Sequence, residues 1–122
     1  INEETLWVYE DAGVLKAIIT FNEFQDKEYE AISWLCHDGP NMVIHRLCVA
    51  PVFKGQGIGS LLVSFAEDHA KTNGYASIRL DAFSQNRRSL DLYERMGYIR
   101  LGSVIFRKGT FFCFEKPLCA TM

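Results

Sequence analysis

One stretch constrains this chain more than any other: Val49-Ala50-Pro51-Val52-Phe53-Lys54-Gly55-Gln56-Gly57-Ile58-Gly59-Ser60, where three glycines alternate behind a strand-like run and ahead of a helical one. A helix N-terminus leaves its first backbone N–H groups unpartnered and carries partial positive charge, so it attracts anions. Gly55, Gly57 and Gly59 lack Cβ atoms, which lets successive N–H groups approach a phosphate, and Lys54 adds a full charge beside them. Pyrophosphate is the natural guest of such a loop. A glycine-rich turn with no ligand is the plainer alternative.

The flanking periodicity places the loop in a fold. Ile58, Leu61, Leu62, Phe65, Ala66 and His69 fall on one helical face, and that run stops at Asn73-Gly74. Upstream, residues 6–10, 14–24, 29–36 and 41–50 read as strands, separated by turn-forming or charged residues, which predicts an antiparallel meander. Downstream, SIRLDAF is a short buried-type strand, and Asn86 opens a second helix whose apolar stripe includes Leu90 and Tyr93 and which ends at Gly97. Residues 98–106 and 109–118 read as two closing strands, with Lys108-Gly109 as the hairpin turn. The expected fold class is therefore α/β (α+β): a mixed, mostly antiparallel central sheet with flanking helices. With 122 residues, 48% of them hydrophobic, the chain is expected to form one domain spanning 1–122.

A net charge of −2 offers no global basic field, so no nucleic acid partner is expected and any anionic ligand must be held locally. The apolar run around Val14 to Phe21 is broken by Lys16 and Thr20 and falls short of a membrane span. Cys36, Cys48, Cys113 and Cys119 lie far apart with no metal-ligand spacing, so we expect no metal and a reduced, cytoplasmic protein. The chain starts at Ile1 in a strand-like pattern, and residues upstream of it are expected.

A dinucleotide-binding loop competes for the same pattern, with Asp81 at the end of the next strand in place of the ribose-binding acid. Its G-x-G-x-x-G spacing fails here, because Ser60 or Leu62 stands where the third glycine belongs, and the upstream half is a meander. A P-loop is excluded because no Gly-Lys-Ser/Thr follows.

From Val49 to Tyr98 the chain resembles the GNAT family of N-acetyltransferases. Their acetyl-CoA loop follows R/Q-x-x-G-x-G/A, which Lys54-Gly55-Gln56-Gly57-Ile58-Gly59 matches except for lysine in the first place. Val49-Ala50-Pro51 fits the family's residues before the loop, and Asn86, Tyr93, Gly97 and Tyr98 match its second motif. The resemblance implies a GNAT-like acyltransferase fold whose first strand and one or two helices, usually a wall of the acceptor site, are absent from this sequence. It implies acetyl-CoA as cosubstrate and a primary amine as acceptor, with a homodimer left open.

The resemblance also implies that the strands before and after the first helix, Ile44 to Val49 and Ser77 to Ala82, splay apart to admit the pantetheine arm. Backbone groups of Leu47 and Val49 would bond that arm, and an N–H near Cys48 would polarise the acetyl carbonyl. The cofactor set runs through Lys54, Gly55, Gln56, Gly57, Ile58, Gly59 and Ser60 to Asn86, Ser89 and Tyr93. Tyr93 occupies the position whose hydroxyl faces the CoA sulfur, and its alternative is a core tyrosine. Asp81 resembles the carboxylate some members use as base, its alternative being a structural carboxylate. His45 is the second choice on its ordinary pKa, and water is a third. Asn86 caps its helix in any reading. Cys48 reads first as packing and second as a catalytic acyl-cysteine. Arg87 and Arg88 read first as a solvated face and second as phosphate ligands, His37 and His69 as surface or satisfied core, Trp7 and Trp34 as core or sheet face. Three function classes stand: an acetyltransferase, a CoA-binding regulatory module without turnover, and a dinucleotide oxidoreductase.

Overall fold

The computed structural model describes residues 5–118; Ile1 and Cys119, on which two expectations rest, lie outside them. Among the described residues six strands form one sheet: β1 (Thr5–Asp11), β2 (Val14–Asn22), β3 (Asn41–Val49), β4 (Ser77–Phe83), β5 (Ile99–Phe106) and β6 (Gly109–Pro117). Their spatial order is β1-β2-β3-β4-β6-β5, and every pairing is antiparallel except β3 with β4. Parallel neighbours need a crossover, and α1 (Ile58–Thr72) supplies it. A second helix, α2 (Arg87–Arg95), links β4 to β5. This is the mixed, mostly antiparallel sheet with helices that the periodicity predicts.

The sheet has a different cover on each face. Ile19, Phe21, Met42, Ile44, Ile78, Leu80 and Phe114 pack against Leu62, Val63 and Ala66 of α1 and Leu92 and Tyr93 of α2. Each such side chain contributes roughly 1.5–3 kcal/mol by leaving water. The expected α1 stripe is shifted, because Leu61 is 51% exposed while Val63 and Ala70 are sealed. On the opposite face Tyr29, Ile32 and Trp34 cover Val43, Val104 and Cys113.

That second cover corrects the expectation of a strand at 29–36. Residues 27–31 form a 3-10 turn, and the chain then runs irregularly to β3. The strands that precede and follow it leave it no place between them: β2 is flanked by β1 and β3, and the first half of β3 by β2 and β4. Its backbone is satisfied by buried side chains instead. Glu115 Oε1 accepts from the N–H groups of Leu35 at 2.6 Å and Cys36 at 3.4 Å, and Arg79 Nη2 donates to Cys36 O at 2.6 Å. Arg79 Nε in turn donates to Glu115 Oε2 at 3.0 Å, with its guanidinium 4.5 Å from the Trp34 ring centroid. The closing hairpin differs by one residue from expectation: Arg107-Lys108 is the turn, and Gly109 already pairs with Phe106.

One irregularity positions the site. In the β2–β3 ladder Thr20 pairs with Arg46 but Phe21 pairs with Ile44, so His45 is the extra residue of a bulge. Bulges bend a strand, increase its twist and re-aim the side chains beyond them. The β3–β4 ladder ends at the same place, with Ile44 opposite Leu80 as its last pair.

Candidate active site

Beyond Ile44 and Leu80 the two central strands part. Leu47, Cys48 and Val49 of β3 pair with β2, and Asp81, Ala82 and Phe83 of β4 pair with β6, so the edges facing each other carry no strand partner. The splay implied by the resemblance is present, and its fork lies at the His45 bulge.

A groove of about 370 Å³ opens on the helix side of the fork. It is lined by Leu47, Cys48 and Val49 of β3, by Lys54, Gly55 and Gly57 of the loop, and by Ile58, Gly59 and Ser60 at the start of α1. From α2 and its cap come Asn86 and Ser89. Two residues of the expected set fall outside this lining: Gln56, which is exposed in the loop, and Tyr93, which is buried at the core end of α2. Four residues that the expected set lacks join it: Phe53, Arg88, Leu92 and Arg95. Arg88, which reads second as a phosphate ligand, falls with Leu92 and Arg95 at helical i, i+4, i+7 spacing with Ser89 beside them, a pattern that could have found the other two.

The two helix starts differ. Asn86 Oδ1 accepts from Ser89 N–H at 3.2 Å, so α2 is capped from within. At α1 the cap position is Gly57, with φ at 82° and no side chain to offer, and the first helical bond runs from Leu61 N–H to Gly57 O at 3.1 Å. The N–H groups of Ile58, Gly59 and Ser60 are thus left for an acceptor in the groove. A Cβ built on Gly57 would meet no atom within 4 Å, so the space over the loop is open, whereas one on Gly59 would touch Leu92 Cδ2 at 3.4 Å. Gly57 shapes the turn, and Gly59 lets α2 approach. Lys54, Arg88 and Arg95 make this end of the groove cationic.

Three titratable side chains lie near the fork. Tyr93 approaches from the helix side, its ring 5.7 Å from that of Tyr98 and 6.1 Å from that of Phe114. Its hydroxyl has no hydrogen-bond partner among the described residues. Burial, then negative charge on Asp81 and Cys48, drives its pKa upward, so it stays protonated at neutral pH. Asp81 follows Leu80 and faces the opposite side of the sheet, where Tyr29 Oη donates to its Oδ2 at 2.6 Å. Its carboxyl is raised above the ordinary aspartate value, mainly by burial and also by Asp26, while the Tyr29 bond and His45 pull it down. His45 Nε2 lies 2.6 Å from Asn22 Oδ1, with Phe24 stacked 6.3 Å away.

Other singled-out residues are elsewhere. His37 is exposed, and His69 packs among Trp7, Phe21 and Phe65. Trp34 is buried and donates to Tyr29 O at 2.9 Å. Tyr29 escapes a reading of the sequence because its segment has the composition of a strand. Among the described residues no cluster of three or more His, Cys, Asp or Glu is arranged to hold a metal, and no helix is long and apolar enough to cross a membrane.

The sequence profile described as the acetyltransferase (GNAT) family matches residues 1–98. The thialysine N-epsilon-acetyltransferase of Bos taurus is 34% identical over 59 residues, covering 48% of this chain and 35% of that protein. The chain thus spans about a third of that relative's length. An N-acetyltransferase from Staphylococcus aureus Mu50 superposes with a TM-score of 0.75 at 20% identity, covering 95% of this chain and 68% of that one. The yncA protein of Salmonella typhimurium, solved with its cofactor acetyl-CoA, gives 0.73 at 19%, covering 98% and 67%. At these identities the structural likeness speaks for the fold.

Proposed function

The chain belongs to the GNAT family of acetyltransferases, and from that premise we propose that residues 1–122 form one domain that transfers the acetyl group of acetyl-CoA to a primary amine. One observation carries the reading: the strands part beside His45 and Asp81, with Tyr93 on the helix side of the same fork, next to a groove whose lining suits an anion. A CoA-binding module without turnover needs the groove alone.

The groove fits the cosubstrate by its donor set. The free N–H groups of Ile58 to Ser60, with Lys54, Arg88 and Arg95, supply positive charge for phosphates. The open edge at Leu47 to Val49 supplies strand-type donors and acceptors for an amide-bearing arm, and an N–H near Cys48 is the donor for the acetyl oxygen. Acetyl-CoA, when bound, supplies the acyl group and a thiolate leaving group. Asp81 takes the proton the amine nitrogen loses as it forms the new amide bond, and His45 lies beside it as a second acceptor. Tyr93 Oη, which burial keeps in its protonated form, gives its proton to the sulfur as the C–S bond breaks.

The same reading takes the protein as cytoplasmic, on the spacing of its cysteines, and as needing no metal. Light scattering decides whether the protein forms the homodimer that the resemblance leaves open. The acceptor class is tested by following CoA release with polyamines, aminoglycosides, peptides with free N-termini, and amino acids including thialysine, the substrate in the bovine relative's name. Turnover of one of these supports the reading. Tight acetyl-CoA binding with no turnover of any amine by the complete protein would replace it with the regulatory module.

A further inference from the structure

On the face of the sheet away from the helices, one hydroxyl reaches the carboxylate that serves as proton acceptor in the proposed reaction. Tyr29 is 2% exposed and donates from Oη to Asp81 Oδ2 at 2.6 Å. Asp81 Oδ1 has no hydrogen-bond partner among the described residues, so one carboxylate oxygen is held and the other is not.

Tyr29 is itself held firmly. Its ring lies 5.1 Å from that of Trp34, its carbonyl accepts from Trp34 Nε1 at 2.9 Å and Ile32 N at 3.1 Å, and its N–H donates to Asp26 O at 2.9 Å. Trp34 is clamped under Arg79, which is paired to the fully buried Glu115. Arg79 and Asp81 are alternate residues of β4, opposite Glu115 and Cys113 of β6. The ion pair that anchors the 25–36 segment therefore sits one register step from the carboxylate that the segment's tyrosine contacts.

We propose that Tyr29 is a positioning residue for the transfer reaction, its hydroxyl fixing the orientation of the Asp81 carboxylate and setting how readily that carboxylate takes up a proton. The proposal rests on the reading of Asp81 as acceptor. A donor to the ionised form opposes the burial that favours the neutral form, so it partly offsets the rise that burial imposes on Asp81. Five groups face Asp81: Tyr29 and Asp26 from the 3-10 turn, His45 from β3, Cys113 from β6 and Tyr93 from α2. Of these only Tyr29 makes a direct hydrogen bond to it. Burial and the Asp81 charge hold the Tyr29 phenol protonated, so the bond persists across the working pH range.

The test titrates the Asp81 carboxyl by carbon-13 NMR in the complete protein, in Tyr29→Phe, and in a protein carrying 3-fluorotyrosine at position 29. Tyr29→Phe is expected to raise the midpoint by about one unit, and the more acidic fluorophenol to lower it. The acidic limb of kcat/KM, measured with an amine returned by the screen, is expected to follow the same order while acetyl-CoA affinity is unchanged. Midpoints that stay put, or move in the opposite order, overturn the proposal; where Tyr29→Phe does not fold, the fluorotyrosine protein decides. If Asp81→Asn leaves the acidic limb in place, the acceptor reading itself fails. If Asp81→Asn removes the limb and the Tyr29 variants do not move it, only the role of Tyr29 falls.

Discussion

Arg79 and Glu115 lie opposite each other in the β4–β6 ladder and form an ion pair sealed from water, Nε to Oε2 at 3.0 Å with side chains 8% and 0% exposed. Neither charge stabilises the fold by the attraction alone, since both gave up their hydration. Their value lies in the contacts the pair organises: Ser77 Oγ at 2.6 Å, Gln25 Oε1 at 3.0 Å, and the Leu35 and Cys36 backbone.

Breaking the pair from one side is therefore expected to be costly. Glu115→Gln leaves the guanidinium buried without its counter-charge and should lose about 3–5 kcal/mol of stability. Denaturant unfolding reads that loss, and hydrogen exchange should quicken first in residues 25–36. The double variant Arg79→Met, Glu115→Leu should recover part of the loss. A single variant within about 0.5 kcal/mol of the parent would contradict the account.

Gly57→Val is expected to weaken acetyl-CoA binding at least tenfold, about 1.4 kcal/mol, as read by calorimetry. The position sits at φ 82° with open space above it, so a β-branched side chain is strained in the backbone and projects into the groove. Gly59→Ala is the contrast. Its Cβ would meet Leu92 at an ordinary contact distance of 3.4 Å, so it should change stability and affinity little.

Tyr93→Phe should lower kcat by about 10² or more while acetyl-CoA affinity holds. A tyrosine kept for packing predicts a loss of stability on removing its hydroxyl, but this hydroxyl has no partner among the described residues to lose. The melting temperature of Tyr93→Phe should accordingly stay near the parent's. Unchanged kcat with chemistry rate-limiting would remove the donor role.

Asp81 should set a trade between activity and stability. Its carboxyl is raised in the folded protein, chiefly by burial, so the native state binds the proton more tightly than the unfolded chain. Stability from this group is then greatest at acid pH and declines as pH rises from about 3.9 through the folded value. Asp81→Asn, neutral at every pH, should melt at or above the parent at pH 7 and lose that advantage below about pH 4. Its acetyl transfer should fall at the same time. A variant that melts lower at pH 7 and higher in acid would reverse the sign.

What the chain's own letters disclose is local. The glycine loop, the length of α1, the Asn86 cap and the strand runs other than 29–36 each depend on neighbours a few positions away, and all of these are readable. Tyr29 is not, because its place depends on Arg79 finding Glu115 on a strand that pairs only after the sheet closes. With β2 and the first half of β3 flanked on both sides, a segment of strand-like composition lies across the face. The imidazole of His45 stands out in the sequence, but nothing in NMVIHRLCVA marks the extra residue that makes it a bulge. Arg88 and Arg95 have a visible spacing, and their use depends on which face of α2 the groove meets.

The register of β3 with β4 has a mechanical side. The sheet is two three-stranded halves joined at a seam of four rungs, from Asn41 with Ser77 to Ile44 with Leu80. A molecule that pairs with the open edge at Leu47 to Val49 adds rungs to that seam and becomes part of the sheet while it stays bound. Occupancy and cohesion are then one quantity. At a hundred times its Kd such a ligand adds about 2.7 kcal/mol to stability, and on leaving it returns the halves to four rungs.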